Sequence, residues 1–260
     1  MKIIISPAKK MNVDTDTLEV QGLPGFLDRT QILMEWMQAF SLEAAQSLWA
    51  CNEKIAALNY ERYKGMDLGR NLTPALLSYE GIQYQYMAPR VFEQSQWDYV
   101  QKHLRILSGF YGLLKPLDGV TPYRLEMQAK GAPKGARNLY DFWGKSLYDA
   151  LISEENMEGN PPLILNLASK EYSRCVEDWL KPSKESAMIT CVFGEISGEK
   201  LVQKGTMAKM ARGEMVRFMA EHQIEEVQGI KEFDRLGYKY CPKRSTENEY
   251  VFLKQPDLRL

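Results

Sequence analysis

Residues 107–127 read LSGFYGLLKPLDGVTPYRLEM, and they place glycines, prolines, basic residues and carboxylates in one short helix-interrupting segment. A helix that only packs does not need that mixture. Upstream, Ser95-Gln96-Trp97-Asp98 resembles a capping box, and Val100, Leu104 and Leu107 follow at helical spacing, so the pattern predicts a helix from about Gln96 to Ser108. Gly109 then serves as its C-cap, Phe110 and Tyr111 bridge to Gly112, and Leu113-Leu114-Lys115-Pro116 leads into an Asp118-Gly119 turn. The expected element is helix, glycine hairpin, then a short helix or turn. It is like a helix-hairpin-helix, with one residue more between the glycines than the usual Gly-hydrophobic-Gly. The alternative is a tight corner between two packed helices.

Outward from this segment, the chain reads as a mixed α/β or α+β protein. Lys2 to Ser6 is a short buried strand ending in the loop Ser6-Pro7-Ala8-Lys9-Lys10, and a lysine loop at a strand end is a common place for a site. Residues 25–62 read as helical, with Ser41 capping a second helix. Pro161-Pro162 opens a strand through Leu163 to Ala168, after which Ser169 stands at a helix N-cap. Ala187 to Phe193 and Lys200 to Lys204 flank Ser197-Gly198 as a hairpin, and Tyr238 to Cys241 with Glu249 to Leu253 form a late pair of strands. No low-complexity linker separates these pieces, so residues 1–260 are expected to form a single interlocked domain.

Composition excludes some chemistry. The formal net charge of −1 gives no global pull toward nucleic acid, so a polyanion site has to be a local patch. Cys51, Cys175, Cys191 and Cys241 are scattered without CxxC spacing and read as reduced core thiols. His103 and His222 each fall in a predicted helix, leaving little material for a histidine metal site, and no metal or cofactor is expected. Met1 to Ile5 is too short for a signal peptide or a membrane span, so the expected location is cytoplasmic.

A helix from about Thr206 to His222 carries the clearest charge pattern. Met207, Ala211, Met215 and Phe218 cluster on one side, and Lys209, Arg212 and Arg217 on the other, with Gly213 among them. Such a face is either a solvated surface or a basic binding face. Glycine inside a helix costs roughly 1 kcal/mol relative to alanine and asks for a close-approach reason.

Together, Ser6-Pro7-Ala8-Lys9, the 107–127 stretch, Leu139-Tyr140-Asp141-Phe142-Trp143-Gly144, Asn166-Leu167-Ala168-Ser169 with Tyr172, and Ala208-Lys209 through Phe218 resemble the YaaA family of bacterial proteins associated with peroxide-stress resistance. The resemblance spans nearly the whole chain. It implies a single α/β domain of unusual topology with a basic cleft, a helix-hairpin-helix-like element, binding of double-stranded DNA with weak sequence specificity, and a role in limiting the free iron that turns peroxide into damaging radicals. Lys9, Arg124, Lys209, Arg212 and Arg217 take the family's basic positions, and Leu107 to Leu114 its hairpin. With Gly109, Gly112, Lys115 and Ser169 they make up the expected DNA- or anion-binding set: cations neutralise phosphates, and glycine amides donate to phosphate oxygens without reading sequence. Tyr111, Tyr123, Tyr140 and Trp143 are either core residues or stacking platforms for a base.

A second reading makes the same cleft an enzyme site for a nucleotide, a nucleobase or another small anion. Arg124 and Lys9 would hold the anion, Glu126 or Asp141 would act as general acid or base, and Asn166 with the Ser169 helix start would stabilise developing charge. Arg124-Glu126 and Arg137-Asp141 as ordinary ion pairs are the plain alternative. A third reading, an iron or haem buffer, finds little support, because the methionines lie scattered along helices as core filler.

Overall fold

Main-chain burial in the middle of the chain decides the architecture, because Leu104 to Ser108 is covered on every side and has to pair as a central strand. The computed structural model describes residues 1–153, 163–180 and 187–255. From the N-terminus the chain runs β1 (Lys2–Ile5), β2 (Lys10–Met11), α1 (Leu27–Gln38), α2 (Leu42–Trp49), α3 (Glu53–Lys64), β3 (Thr73–Pro74), α4 (Ala75–Ser78), β4 (Tyr79–Glu80), α5 (Ile82–Met87) and α6 (Gln94–His103). It continues through β5 (Leu104–Ser108), β6 (Gly112–Leu114), β7 (Gly119–Val120), α7 (Leu139–Trp143), α8 (Ser146–Ser153), β8 (Leu163–Leu167) and α9 (Lys170–Glu177). The last elements are β9 (Ala187–Ser197), β10 (Lys200–Val202), α10 (Gly205–Glu221), β11 (Tyr238–Tyr240) and β12 (Glu249–Lys254).

The main sheet has the order β11-β12-β9-β8-β1-β5-β6, with β10 paired to β9. Its centre is parallel: β1 runs with β5 and β8, and β9 runs with β8 and β12. β6, β10 and β11 are antiparallel additions. All four residues of β1 are buried, as a strand covered on both faces requires. One hydrophobic cluster extends from Ile3 to Phe252, so the protein is a single α/β domain. Later strands lie on both sides of β1, and in open parallel sheets such a switch point leaves a crevice outside the carboxyl ends of the strands. Ile5 and Leu167 are register partners, so the loops after β1 and β8 emerge side by side there.

The opening stretch departs from its expectation. α6 ends at His103, and Leu104 and Leu107 belong to β5, which pairs antiparallel with β6. Leu113 and Leu114 are strand as well, so this segment is a β-hairpin and not a helix-hairpin-helix. Val100, Leu104 and Leu107 fit a helical period, but pairing on both edges and burial at every position override that spacing. The cap is also displaced: the Glu93 amide donates to Gln96 Oε1 at 2.8 Å. Two helices joined by a three-residue turn do occur, as α2 and α3, and there Asn52 Oδ1 caps the Ile55 amide.

The other expected helices and strands within the described residues are present. Three helices fill residues 27–64, and Ser41 Oγ accepts from the Ala44 amide. The hairpin of β9 and β10, the β11–β12 pair and the long helix α10 are present. The strand after Pro161-Pro162 begins at Leu163, while the two prolines lie outside the described residues. Among the described residues, no helix is long and apolar enough to cross a membrane.

Candidate functional site

At the carboxyl ends of β1 and β8, Ser6 stitches two loops together. Its hydroxyl donates to Ser169 Oγ at 3.1 Å and accepts from the Ser169 amide at 2.8 Å, while its carbonyl accepts from the Tyr84 hydroxyl at 2.9 Å. Ser169 does stand at the N-cap of α9, but its side chain bonds Ser6 and caps no α9 amide. Asn166, buried in β8, shapes the same turn by accepting from the Ala168 amide at 2.9 Å.

These loops floor a cavity of about 400 Å³ whose walls come from the Lys9 loop, the start of α5, residues 123–126, the first turn of α9 and one face of α10. Five cationic residues line it, Lys9, Lys10, Arg124, Lys209 and Arg212, against three carboxylates, Glu80, Glu126 and Glu171. Glu126 joins Lys9 at 2.7 Å and Arg124 Nη2 at 3.2 Å, and Glu80 joins Lys10 at 2.6 Å. Arg212 is different. Among the described residues it has no carboxylate partner, its Nε is buried without a hydrogen bond, and burial lowers the pKa of its guanidinium. Arg124 Nε and Gln83 Nε2 are likewise buried and unpartnered.

Glu171 is half-buried, and its Oε1 accepts from the Gln128 amide at 3.2 Å. Burial raises its pKa and neighbouring Glu126 adds to this, while the Gln128 amide and Lys9 oppose it. Burial also holds the phenols of Tyr84 and Tyr172, which line the cavity, well above their ordinary pKa. The Tyr123 hydroxyl bonds Ser108 Oγ at 2.6 Å and Tyr79 at 2.8 Å.

Of the residues expected to bind an anion, the cavity gathers Lys9, Arg124, Ser169, Lys209 and Arg212. Arg217 points to other partners: it pairs with Glu221 at 2.7 Å, and Glu221 also binds Arg235. The basic face expected on α10 is therefore split. Lys115 is exposed but does not line this cavity. Gly109 and Gly112 are buried, a Cβ at Gly109 would stand 2.5 Å from the Leu125 carbonyl, and one at Gly112 2.8 Å from the Trp143 ring. The amides of Phe110 and Tyr111 already donate to Ser108 Oγ, at 3.1 and 2.9 Å. The amides of Phe110 and Tyr111 are thus spent on the hairpin's own turn, and neither glycine lines the cavity.

Of the catalytic candidates, Arg124 and Glu126 line the cavity. Asp141 is exposed and paired with Arg137, and Asn166 donates to Thr190 Oγ1 at 3.2 Å, so neither belongs to it. Tyr111 and Trp143 are core residues, with Trp143 Nε1 donating to the Gly109 carbonyl at 3.0 Å, while Tyr123 is buried but lines the cavity. Tyr140 is half-buried and donates to the Glu171 carbonyl at 2.9 Å. The sequence reading missed Glu80, Gln83 and Glu171. Gly81 was the available signal, since a Cβ there would press on Ala8 of the lysine loop at 3.2 Å. All four cysteines are unpaired, and burial raises the Cys175 thiol to about 12 and Cys191 further, so neither of these two is a reactive thiolate.

The comparisons agree with one another along the chain. A UPF0246 protein of Agathobacter rectalis is 56% identical over 252 residues, covering 97% of this chain and 98% of its own. One from Lachnoclostridium phytofermentans is 54% identical, covering 98% of this chain and 96% of its own, and one from Lactiplantibacillus plantarum is 51% identical, covering 98% and 100%. Residues 1–244 match the family described as Peroxide stress protein YaaA, and the chain belongs to that family.

Proposed function

We propose that this protein acts in the peroxide stress response by binding a phosphate-bearing ligand of about nucleotide size in the cavity beside β1 and β8. The observation that carries this is Arg212: a guanidinium without a carboxylate partner, its Nε sequestered, is costly to bury unless an anion completes it. Arg124, Lys209 and the Ser169 hydroxyl supply further donors on the same walls, the Ser6 hydroxyl and the Ser169 amide being used between the two loops. A volume of about 400 Å³ accepts one small molecule and not a duplex, whose major groove alone is about 12 Å wide. The cytoplasm is the proposed compartment, supported by four unpaired cysteines.

Isothermal titration of ribose 5-phosphate tests the anion site. Wild type should bind it, and Arg212→Ala should lose about tenfold or more in affinity, equivalent to roughly 1.4 kcal/mol. No binding to wild type at low salt would overturn the proposal.

Double-stranded DNA is the second reading, favoured by the exposed Lys9, Lys10 and Lys209 among the lining residues. Lys9 and Lys10 are already matched by glutamates, so their electrostatic contribution is partly cancelled. A salt series on a labelled duplex should give a log–log slope of about 1 to 3, at roughly 0.9 per phosphate contacted, and Lys209→Ala should flatten it. An effect on free iron is proposed to act through this ligand or a partner. Among the described residues no group of three His, Cys, Asp or Glu side chains is placed to hold a metal ion. Stoichiometric iron in the purified protein would overturn this indirect route.

A further inference from the structure

An anion explains Arg124 and Arg212 but not Gln83. This residue of α5 is 6% exposed and lines the cavity, and its Nε2 is buried without a hydrogen bond. Buried side-chain amides are satisfied in the large majority of cases, so an unpaired one at a cavity wall points to a missing partner. Phosphate oxygens are better served by the neighbouring guanidiniums, whose charged bonds are roughly twice as strong as neutral ones. A neutral amide donor suits an uncharged acceptor, such as a carbonyl oxygen or a ring nitrogen.

The backbone holds Gln83 in place from two sides. Gly213 of α10 presses directly on its carbonyl oxygen, and the adjacent Tyr84 is tied by its hydroxyl to the Ser6 carbonyl. Arg212, next to Gly213 in sequence, is thereby fixed relative to Gln83. Tyr84, Tyr123 and Tyr172 line the same cavity and offer apolar ring surface alongside these polar groups. One set of walls therefore carries donors for an anion, a donor for a neutral acceptor and aromatic surface.

We infer that the ligand is a nucleoside 5′-monophosphate, with Arg124 and Arg212 holding its phosphate and Gln83 reading an acceptor on its base. This rests on the anion-site reading above and goes beyond it by assigning the neutral half of the ligand. Gln83 is the specificity-determining residue.

The test is calorimetric titration of the 5′-monophosphates of adenosine, guanosine, cytidine and uridine beside ribose 5-phosphate, on wild type, Gln83→Leu and Gln83→Met, with melting curves as the folding control. At least one nucleotide should bind wild type about tenfold tighter than ribose 5-phosphate. Gln83→Leu should erase that preference while leaving ribose 5-phosphate unchanged. Gln83→Met, nearly the same size but without the donor and without a charge, should also erase it, and it decides the matter if the leucine variant does not fold. If ribose 5-phosphate binds through Arg212 and no nucleotide binds tighter, the base-reading inference falls and the anion site stands. If the substitutions at Gln83 weaken ribose 5-phosphate and nucleotides alike, Gln83 serves the anion and the inference falls. If neither ligand class binds, both readings fall.

Discussion

Gly213 lies against the carbonyl oxygen of Gln83, so close that a Cβ at position 213 would overlap that oxygen and stand 3.0 Å from the Met87 amide nitrogen. The long basic helix and the short helix on the far wall of the cavity therefore meet backbone to backbone, and the glycine inside α10 has a steric reason. Gly213→Ala sets two effects against each other. Alanine favours a helix by roughly 1 kcal/mol, whereas overpacking against backbone that cannot swing aside costs about 1 to 3 kcal/mol or more. The overlap should win, with urea denaturation showing a net loss of about 1 to 2 kcal/mol and titration showing weaker anion binding as Arg212 moves away from α5. A stabilised alanine variant would mean that the helices are not in contact there.

Arg212→Met should separate stability from binding. Without ligand, the half-buried guanidinium of Arg212, its Nε sequestered, lacks a carboxylate partner among the described residues, and methionine fills a similar volume without a group that must be desolvated. The variant should melt higher than wild type, by on the order of 1 kcal/mol, and should lose its response to ribose 5-phosphate. A lower melting point would show that the arginine contributes packing or hidden pairing to the empty fold.

Glu171 gives a pH signature with a definite sign. Burial raises its folded-state pKa above the ordinary value of 4.5, so its contribution to stability is fully present below about pH 4.5 and is lost as pH rises through the folded value. Above that, a charged carboxylate is held half-buried near Glu126. Glu171→Gln keeps an acceptor for the Gln128 amide but removes the charge. The variant should therefore gain in melting temperature at about pH 7.5 and converge with wild type near about pH 4. It should also bind anions more tightly at neutral pH, and a gain confined to acid would refute the assignment.

What could be read from the sequence divides along a physical line. Strands such as Lys2 to Ile5 and helices such as α10 declare themselves, because their residues carry the pattern of their own burial. β5 did not, since Val100, Leu104 and Leu107 satisfy a helical period and only its two edge partners make it a strand. Site residues follow the same division. Lys9, Arg124 and Arg212 are visible as charges in loops and on a helix face, whereas Arg217 looks equivalent to Arg212 until Glu221 and Arg235 are placed beside it. Gln83 carries no local signal, because its significance lies in a missing partner, which is a property of the folded cavity.

Ser108→Ala tests the revised reading of the 107–127 stretch. The Ser108 hydroxyl accepts from the amides of Phe110 and Tyr111 and bonds Tyr123, which in turn bonds Tyr79, all away from solvent. Alanine leaves two amide donors and one end of the tyrosine pair unsatisfied where water does not reach. Each unpaired buried group costs about 1 to 3 kcal/mol, so urea denaturation should show a loss of roughly 2 to 4 kcal/mol after partial relaxation. Were the hairpin amides a phosphate clamp, freeing them from Ser108 would strengthen binding of ribose 5-phosphate at little cost in stability. The opposite pattern is expected: a large loss of stability with the affinity of the folded fraction little changed, because Ser108, Phe110 and Tyr111 are buried and do not line the cavity in which Arg124 and Arg212 would meet the proposed anion.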